Sequence, residues 1–348
     1  MRSYEIHPSF RLNGKKMTQD QLSHLAFDLI QDGEPYQQDL GKLFLQWFDH
    51  NKTIELTTSG TTGEAKGILI KKKAMLHSAR ATADFFKLAA GDRALLCLST
   101  RYIGGKMMVI RALSLGLELD VVPPSSTPLL GNTQPYDFVA MVPLQVENSI
   151  AELARVKTVI IGGAQVNSAL AAQLENLDTA VFETYGMTET VSHIAAKKIG
   201  ESAFTVLPHV HIYADERGCL VINAPKVSDD ILVTNDLVNM VNDHQFQWLG
   251  RIDNVINSGG VKLFPEQIEA KLVPHIPSRF FVIGQKDEKW GEKLILVIES
   301  EPYQLHPDAF KALSKFETPK EILFTAKIEE TVTGKILRKQ TLANLVAL

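Results

Sequence analysis

Twelve residues, Leu56 to Gly67, constrain this chain most. They read Leu-Thr-Thr-Ser-Gly-Thr-Thr-Gly-Glu-Ala-Lys-Gly and lead straight into the apolar, β-rich run Ile68-Leu69-Ile70. Glycines let a backbone bend so that several N–H groups point at one anion, a nest that suits phosphate. The hydroxyls of Thr58, Ser59, Thr61 and Thr62 add donors between Gly60 and Gly63, and Lys66 adds a point charge. A polar hairpin turn uses the same residue types and is the plain alternative. The stretch is not a Walker loop, which needs Gly-Lys followed at once by Ser or Thr. Lys66 is followed by Gly67, and none of Gly14-Lys15, Gly41-Lys42, Gly105-Lys106 and Gly334-Lys335 is followed by a hydroxyl residue.

A chain of 348 residues, 45% of them hydrophobic, has room for two domains and a large core. Its 36 basic and 40 acidic residues leave a net charge of −4, which gives no electrostatic case for nucleic acid or an anionic membrane. Lys71-Lys72-Lys73 is the densest basic run and reads as a solvated strand end or helix start. Cys97 and Cys219 sit in apolar surroundings without CxxC spacing, as buried free thiols of a reducing compartment do. Met1 to Ile6 lacks the apolar core of a signal peptide, and no apolar run approaches a membrane span. The expectation is a cytoplasmic protein without membrane insertion. The sequence leaves the oligomeric state open, a homodimer included.

Helical spacing marks Gln19 to Ile30, Leu40 to Phe48, Lys73 to Leu88, Met107 to Leu115 and Leu144 to Leu153. Buried strands are expected at Ala94 to Leu98, Leu117 to Val122, Phe138 to Pro143 and Thr158 to Ile161. This alternation predicts α/β architecture with parallel pairing. From Arg279 the pattern changes to short strands, a helix over Pro307 to Leu313 and the strand Glu321 to Phe324, a compact α+β unit. Gly162-Gly163, at a strand's carboxyl end, lets a flat ligand approach the backbone.

Val181 to Thr190 is a second signal: a short strand ending in an aromatic, a glycine, a hydroxyl and a carboxylate. Tyr185 can stack on a purine, Thr188 can donate to a phosphate, and Glu189 can bind Mg2+, which prefers carboxylate plus phosphate oxygens. A helix start with Thr188 as cap would look the same. His193 reads as a structural histidine or a wall of an acyl pocket. His209 and His211 alternate without a third ligand, so their spacing gives no metal site. Around Tyr102 stand three cations, Arg101, Lys106 and Arg111, two of which are expected to be plain surface charges.

Taken together, these motifs resemble those of the adenylate-forming superfamily: acyl-CoA synthetases, adenylation domains and luciferases. The loop is similar to Ser-Gly-Thr-Thr-Gly-x-Pro-Lys-Gly, with Ala65 in place of proline. Ile231 to Leu237 is similar to the Thr-Gly-Asp segment whose Asp grips ribose, with Asn235 in place of glycine and Asp236 as that Asp. Gly250 to Glu269, with Arg251-Ile252-Asp253 and Ser258-Gly259-Gly260, is similar to the hinge and the opening of the small domain. Glu330 to Lys339 is similar to the terminal motif with its catalytic lysine. The resemblance implies a large α/β domain over 1–249 with a reduced N-terminal subdomain, a hinge over 250–253 at Asp253, and a mobile α+β lid over 254–348.

It further implies that Thr58 to Lys66 hold the β- and γ-phosphates of ATP, that Thr188 and Lys335 hold the α-phosphate, and that Glu189 holds Mg2+. Tyr185 would meet the adenine, Gly162 and Gly163 would border the adenine and the acyl group, Asp236 would hold the ribose, Arg251 would reach the ribose or a phosphate, and coenzyme A would pass along Gly259-Gly260. Thr100 to Met108 with Arg111, Val142 to Gln145 and Tyr185 to Ser192 resemble the short o-succinylbenzoate–CoA ligases of menaquinone biosynthesis. Such an acid has two carboxylates, one activated and one read by a cation such as Arg101, Lys106 or Arg111. Another acyl- or aryl-CoA ligase, a carrier-protein-loading adenylation enzyme, and a non-catalytic nucleotide-binding relative stand as alternatives.

Overall fold

A computed structural model describes residues 5–58, 66–330 and 336–346. Its centre is a block of parallel strands. In spatial order these are Glu118–Val121, Arg93–Leu96, Tyr136–Met141, Val156–Ile161 and Ala180–Gly186. Successive residues of a strand face opposite sides. Phe138, Ala140 and Ile160 therefore pack with the helices Lys72–Phe86 and Ile103–Leu115 on one face. Val139, Met141, Val159 and Ile161 pack with Leu153, Leu170 and Leu174 on the other. Burial on both faces explains why these strands read as continuous apolar runs.

Beyond Ala180–Gly186 the pairing turns antiparallel, which the alternation argument did not anticipate. His193–Lys198, Phe204–Val206, Gln245–Arg251, Leu232–Asn242, Cys219–Asn223 and His211–Ala214 follow in that order. The turns joining several of them are short enough for hairpins, and hairpins cannot join parallel strands. Helix Gln19–Asp32 begins at a capping box, Thr18 with Gln21, and with Pro35–Phe48 it adds Leu22, Leu43, Phe44 and Trp47 to the main core.

A second sheet has its own core. Ile256–Ser258, Val261–Leu263, Phe280–Asp287, Gly291–Glu299 and Glu321–Thr325 form it, the last parallel to its neighbour. Ile268 and Leu272 of the helix Pro265–Leu272 pack on one face with Val282, Leu294, Leu296 and Ile298. Phe281, Ile283, Ile295 and Val297 face Leu342 on the other.

Four local expectations need correction. The helix expected over Leu144–Leu153 is a short helix, Pro143–Glu147, then a 3-10 turn, Ile150–Arg155. Asn148 and Ser149 fall between them, residue types that disfavour helix interiors. The helix expected from Met107 begins at Ile103, so Gly104, Gly105 and Lys106 are helical. Gly105 allows this because the helix presses on the preceding turn: a Cβ there would lie 2.3 Å from the Ser99 carbonyl oxygen. The third is Lys72, expected in solvent but fully buried, with Nζ donating to Asp49 Oδ1 at 2.7 Å. The segment Pro307–Phe310 is likewise a 3-10 turn rather than a full helix.

Candidate functional site

The carboxyl ends of Val156–Ile161 and Ala180–Gly186 lie side by side, since the strands pair in parallel through Ile161 and Glu183. Gly162-Gly163 follows the first strand, with Gly163 at φ +87°. Thr184 Oγ1 donates to the Ile161 carbonyl at 2.8 Å and ties the two ends together.

Tyr185 stands at the end of the second strand. Its ring meets Phe246 edge-on at 5.2 Å and is tilted on Phe204 at 6.0 Å. Its hydroxyl donates to Asp236 Oδ2 at 2.6 Å, and burial together with that carboxylate pushes the phenol pKa well up. Asp236 also accepts from Trp248 Nε1 at 3.3 Å and pairs with Arg251 at 3.5 Å. Arg251 Nη2 donates to Asp253 Oδ2 at 3.0 Å. Antiparallel register sets Asp236 opposite Arg251, so distant segments bring Tyr185, Asp236, Arg251 and Asp253 into one cluster.

Thr188 and Glu189 occupy a 3-10 turn, Thr188–Thr190. Thr190 Oγ1 holds it by accepting from Met187 N at 2.9 Å. The next residue, Val191, has φ +68° and ψ −49°, and Ser192 N donates to the Thr190 carbonyl at 2.7 Å. This is a positive-φ γ-turn at a buried, β-branched residue, a rare and strained conformation. It reverses the chain between the Thr188-Glu189 pair and the Ser192-His193 pair.

On the far side of that turn lies Arg111. Its side chain is 1% exposed. Nη2 donates to Ser192 Oγ at 3.0 Å, Nε to Thr82 Oγ1 at 3.3 Å and Nη1 to Met108 Sδ at 3.7 Å. No carboxylate lies within ion-pair distance of it among the described residues. Burial pulls the guanidinium pKa down to about 9. His193 lies 3.4 Å from both Thr82 Oγ1, through Nε2, and Ser192 Oγ, through Nδ1. Burial, then Arg111, holds the imidazole well below its usual pKa. A small recess of about 20 Å³ beside it is lined by Ser78, Thr190, His193 and Val210. Ser78 Oγ is buried without a partner among the described residues.

Of the three cations around Tyr102, only Arg101 is exposed; Lys106 is 8% exposed and Arg111 is sealed. The expectation of two surface charges thus fails, because the helix from Ile103 is buried on nearly every side. Burial lowers the Lys106 pKa, with Asp39 opposing. Tyr102 is 61% exposed at that helix's N-cap. Glu189 is exposed and takes no hydrogen bond or ion pair among the described residues. Gly259 and Gly260 form the positive-φ turn between Ile256–Ser258 and Val261–Leu263, with Gly259 N donating to the Trp290 carbonyl at 2.8 Å. Ser59, Gly60, Thr61, Thr62, Gly63 and Lys335 lie outside the described residues. Thr58 and Lys66 pair directly across the hairpin of Thr53–Thr58 with Lys66–Lys71.

Sequence reasoning missed Thr82 and Ser192 as the oxygen partners of Arg111, and the pair of buried Glu183 with half-buried Lys197 at 3.0 Å. A hydroxyl on a helix face carries no signal until the opposing cation is placed.

Comparisons with known proteins bear on this arrangement. A family model described as AMP-binding enzyme matches residues 53–221. A solved acyl-CoA synthetase (AMP-forming)/AMP-acid ligase II-like protein from Dyadobacter fermentans is 38% identical, over 90% of this chain and 95% of that one, with a TM-score of 0.61. The 2-succinylbenzoate–CoA ligase of Enterococcus faecalis is 25% identical over 93% of this chain and 76% of its own length. The o-succinylbenzoate–CoA synthetase of Bacillus subtilis, solved with its acyl-adenylate intermediate, has a TM-score of 0.73 at 23% identity, covering 82% of this chain and 68% of that one. The same enzyme has also been solved with ATP and a magnesium ion. At that identity the likeness speaks for the fold, whereas the Dyadobacter protein is similar in sequence along nearly its whole length. The chain belongs to the AMP-binding enzyme family, among its AMP-forming acid–CoA ligases.

Proposed function

We propose that this ligase activates 2-succinylbenzoate as its acyl adenylate and passes the acyl group to coenzyme A. The observation that carries the choice of acid is Arg111. An unpaired charge is costly to bury, so a sealed guanidinium with no carboxylate partner among the described residues is matched to an anion that arrives with the substrate. An acid with two carboxylates supplies one for reaction and one for Arg111. Thr82, Ser192 and neutral His193 complete a polar wall around that second group.

In the first half-reaction a carboxylate oxygen attacks the α-phosphorus of ATP, and pyrophosphate leaves. Catalysis is chiefly positioning and stabilisation of shifting charge. The loop from Thr58 to Lys66 cradles the β- and γ-phosphates, Thr188 donates to the α-phosphate, and Lys335 bridges it to the incoming carboxylate. Tyr185 presents its ring to adenine beside Gly162-Gly163. Asp236 retains acceptor sites for the ribose hydroxyls, since a carboxylate has about four and three protein donors reach it. Arg251 faces the same ribose.

Mg2+ fits Glu189. No three potential ligand side chains converge among the described residues, so one free carboxylate plus phosphate oxygens is the arrangement the chain offers. When bound, the ion would neutralise charge on the triphosphate. In the second half-reaction a thiol attacks the acyl carbon and AMP departs. Asp253 serves as the hinge between 1–249 and 254–348, and its rotation brings Gly259-Gly260 to the thiol's path. The test is a panel of mono- and dicarboxylic acids in a pyrophosphate-release assay, with and without coenzyme A. Turnover of 2-succinylbenzoate well above the monocarboxylates supports the reading; equal turnover of both removes it.

A further inference from the structure

Lys73, His77 and Arg80 stand at i, i+4 and i+7 of the helix Lys72–Phe86 and so share one face. Lys73 and Arg80 are exposed, and His77 is half-buried. Two turns bring further bases to it. Exposed Lys226 lies in the turn closed by Val227 N donating to the Ala224 carbonyl at 2.9 Å, and His209 is held at φ +66°. A groove of about 420 Å³ is lined by Lys71, Lys73, His77 and Lys226, with Ser228 and Asp229. It shares His77, Lys226 and Val227 with the small recess beside His193, which His209 lines as well. Ser78 also lines that recess, where its buried Oγ has no partner among the described residues.

Of these cations, Lys71 is paired with Asp229. Lys73, Arg80 and Lys226 have no carboxylate within ion-pair distance among the described residues. The chain as a whole carries −4, so the cluster runs against its overall sign. Like charges gathered at one groove repel one another, and water screens only part of that. His77 feels the remainder: burial, then Arg80, Lys226, Lys73 and His209, holds its imidazole below the usual pKa. An anion shared among the side chains would offset the repulsion.

We propose that this groove is a second anion site, apart from the nucleotide site, and that it takes a diphosphate group on Lys73, His77, Arg80 and Lys226. A single carboxylate leaves most of this charge unmatched, whereas a diphosphate carries roughly three negative charges near pH 7 and several acceptor oxygens. The three fixed cations, Lys73, Arg80 and Lys226, match that number, and His77 gains a proton as the anion arrives. The volume of the groove falls within the range of small-ligand sites, about 300–1,000 Å³. An AMP-forming ligase releases such a group as free pyrophosphate, and nucleotides carry it as well. The assignment stands apart from the choice of acid.

The experiment follows the His77 imidazole by NMR in the full chain, its resonances identified by their loss in His77→Gln. Titrations between about pH 5.5 and 8.5 are run at one ionic strength, with potassium chloride alone or with about 5 mM pyrophosphate. A diphosphate beside the ring favours its charged form. The midpoint is expected to rise by about one pH unit, the mark of about tenfold tighter binding to the protonated ring. Lys226→Gln reduces the rise, and the combined Lys73→Gln, Arg80→Gln and Lys226→Gln variant abolishes it. That variant also starts from a higher midpoint in chloride, because the repelling cations are gone. Lys66→Ala keeps the rise; its loss there would move the effect to the loop after Thr58 and overturn the proposal. A rise below about 0.3 pH unit, an equal rise with sulfate at the same ionic strength, or a rise that survives the combined substitution overturns it too. Should the combined variant fail to fold, an undiminished rise in Lys226→Gln overturns it equally. ADP in place of pyrophosphate separates the sources: a response at lower concentration assigns the diphosphate to a nucleotide, and one at higher concentration assigns it to the free anion.

Discussion

Replacing Arg111 by Met sets function against stability. Arg111 touches two hydroxyls and a thioether, and no carboxylate among the described residues offsets its charge. With the acid bound, the guanidinium meets a carboxylate, and a hydrogen bond to a charged group is worth about 1.5–3 kcal/mol. At 1.4 kcal/mol per factor of ten, Arg111→Met lowers kcat/KM for 2-succinylbenzoate by roughly 10- to 150-fold. An analogue that keeps the reacting carboxylate and lacks the other loses no such contact, and its kcat/KM should change by less than about threefold. The preference for the dicarboxylate then collapses. Without ligand the same change removes an unpaired buried charge and leaves an unbranched apolar chain beside Met108. Denaturant unfolding should place the variant within about 1 kcal/mol of the parent, or above it. Pyrophosphate release against both acids, with urea unfolding of the free proteins, checks both halves. A variant destabilised by more than about 2 kcal/mol, or one that loses activity equally on all acids, would refute the reasoning and make Arg111 a structural residue.

Asp236→Ala removes the acceptor shared by Tyr185, Trp248 and Arg251 and should raise the KM for ATP about tenfold or more, leaving the KM for the acid within about twofold; an unchanged KM for ATP counts against the ribose role. His193 tests the electrostatics. Its pKa is depressed in the folded chain, so the unfolded chain binds the extra proton first as pH falls. Stability from this group is complete above about pH 6.5 and declines below it by up to about 1.4 kcal/mol per pH unit until the folded pKa is reached. Urea midpoints of the parent and His193→Gln between pH 7 and 5 should diverge in slope, the variant being flatter; parallel slopes would mean that the imidazole is protonated in place.

The sequence made the parallel core legible because strands buried on both faces carry unbroken apolar runs, as at Val159-Ile160-Ile161. The antiparallel half was less legible, since its strands alternate and its partners are set by turns. The cluster of Tyr185, Asp236 and Arg251 could be nominated by motif, but only antiparallel register shows that Asp236 faces Arg251. Arg111 stood among three indistinguishable cations. The choice between them lay in burial, which depends on a helix start that two glycines obscured and on hydroxyls from the Lys72–Phe86 helix and the Val191 turn. Glu266, Glu269 and Arg338 lie in two stretches that motif reading singled out, but only the structure shows that they meet.

The central claim is tested most directly by a single turnover without coenzyme A. ATP and 2-succinylbenzoate are mixed with excess protein, quenched and resolved by mass spectrometry. The account predicts 2-succinylbenzoyl adenylate and pyrophosphate in equal amounts, and their conversion to the thioester and AMP when coenzyme A is added. ADP with an acyl phosphate, or no adenylate from this acid while a monocarboxylate forms one, would contradict it.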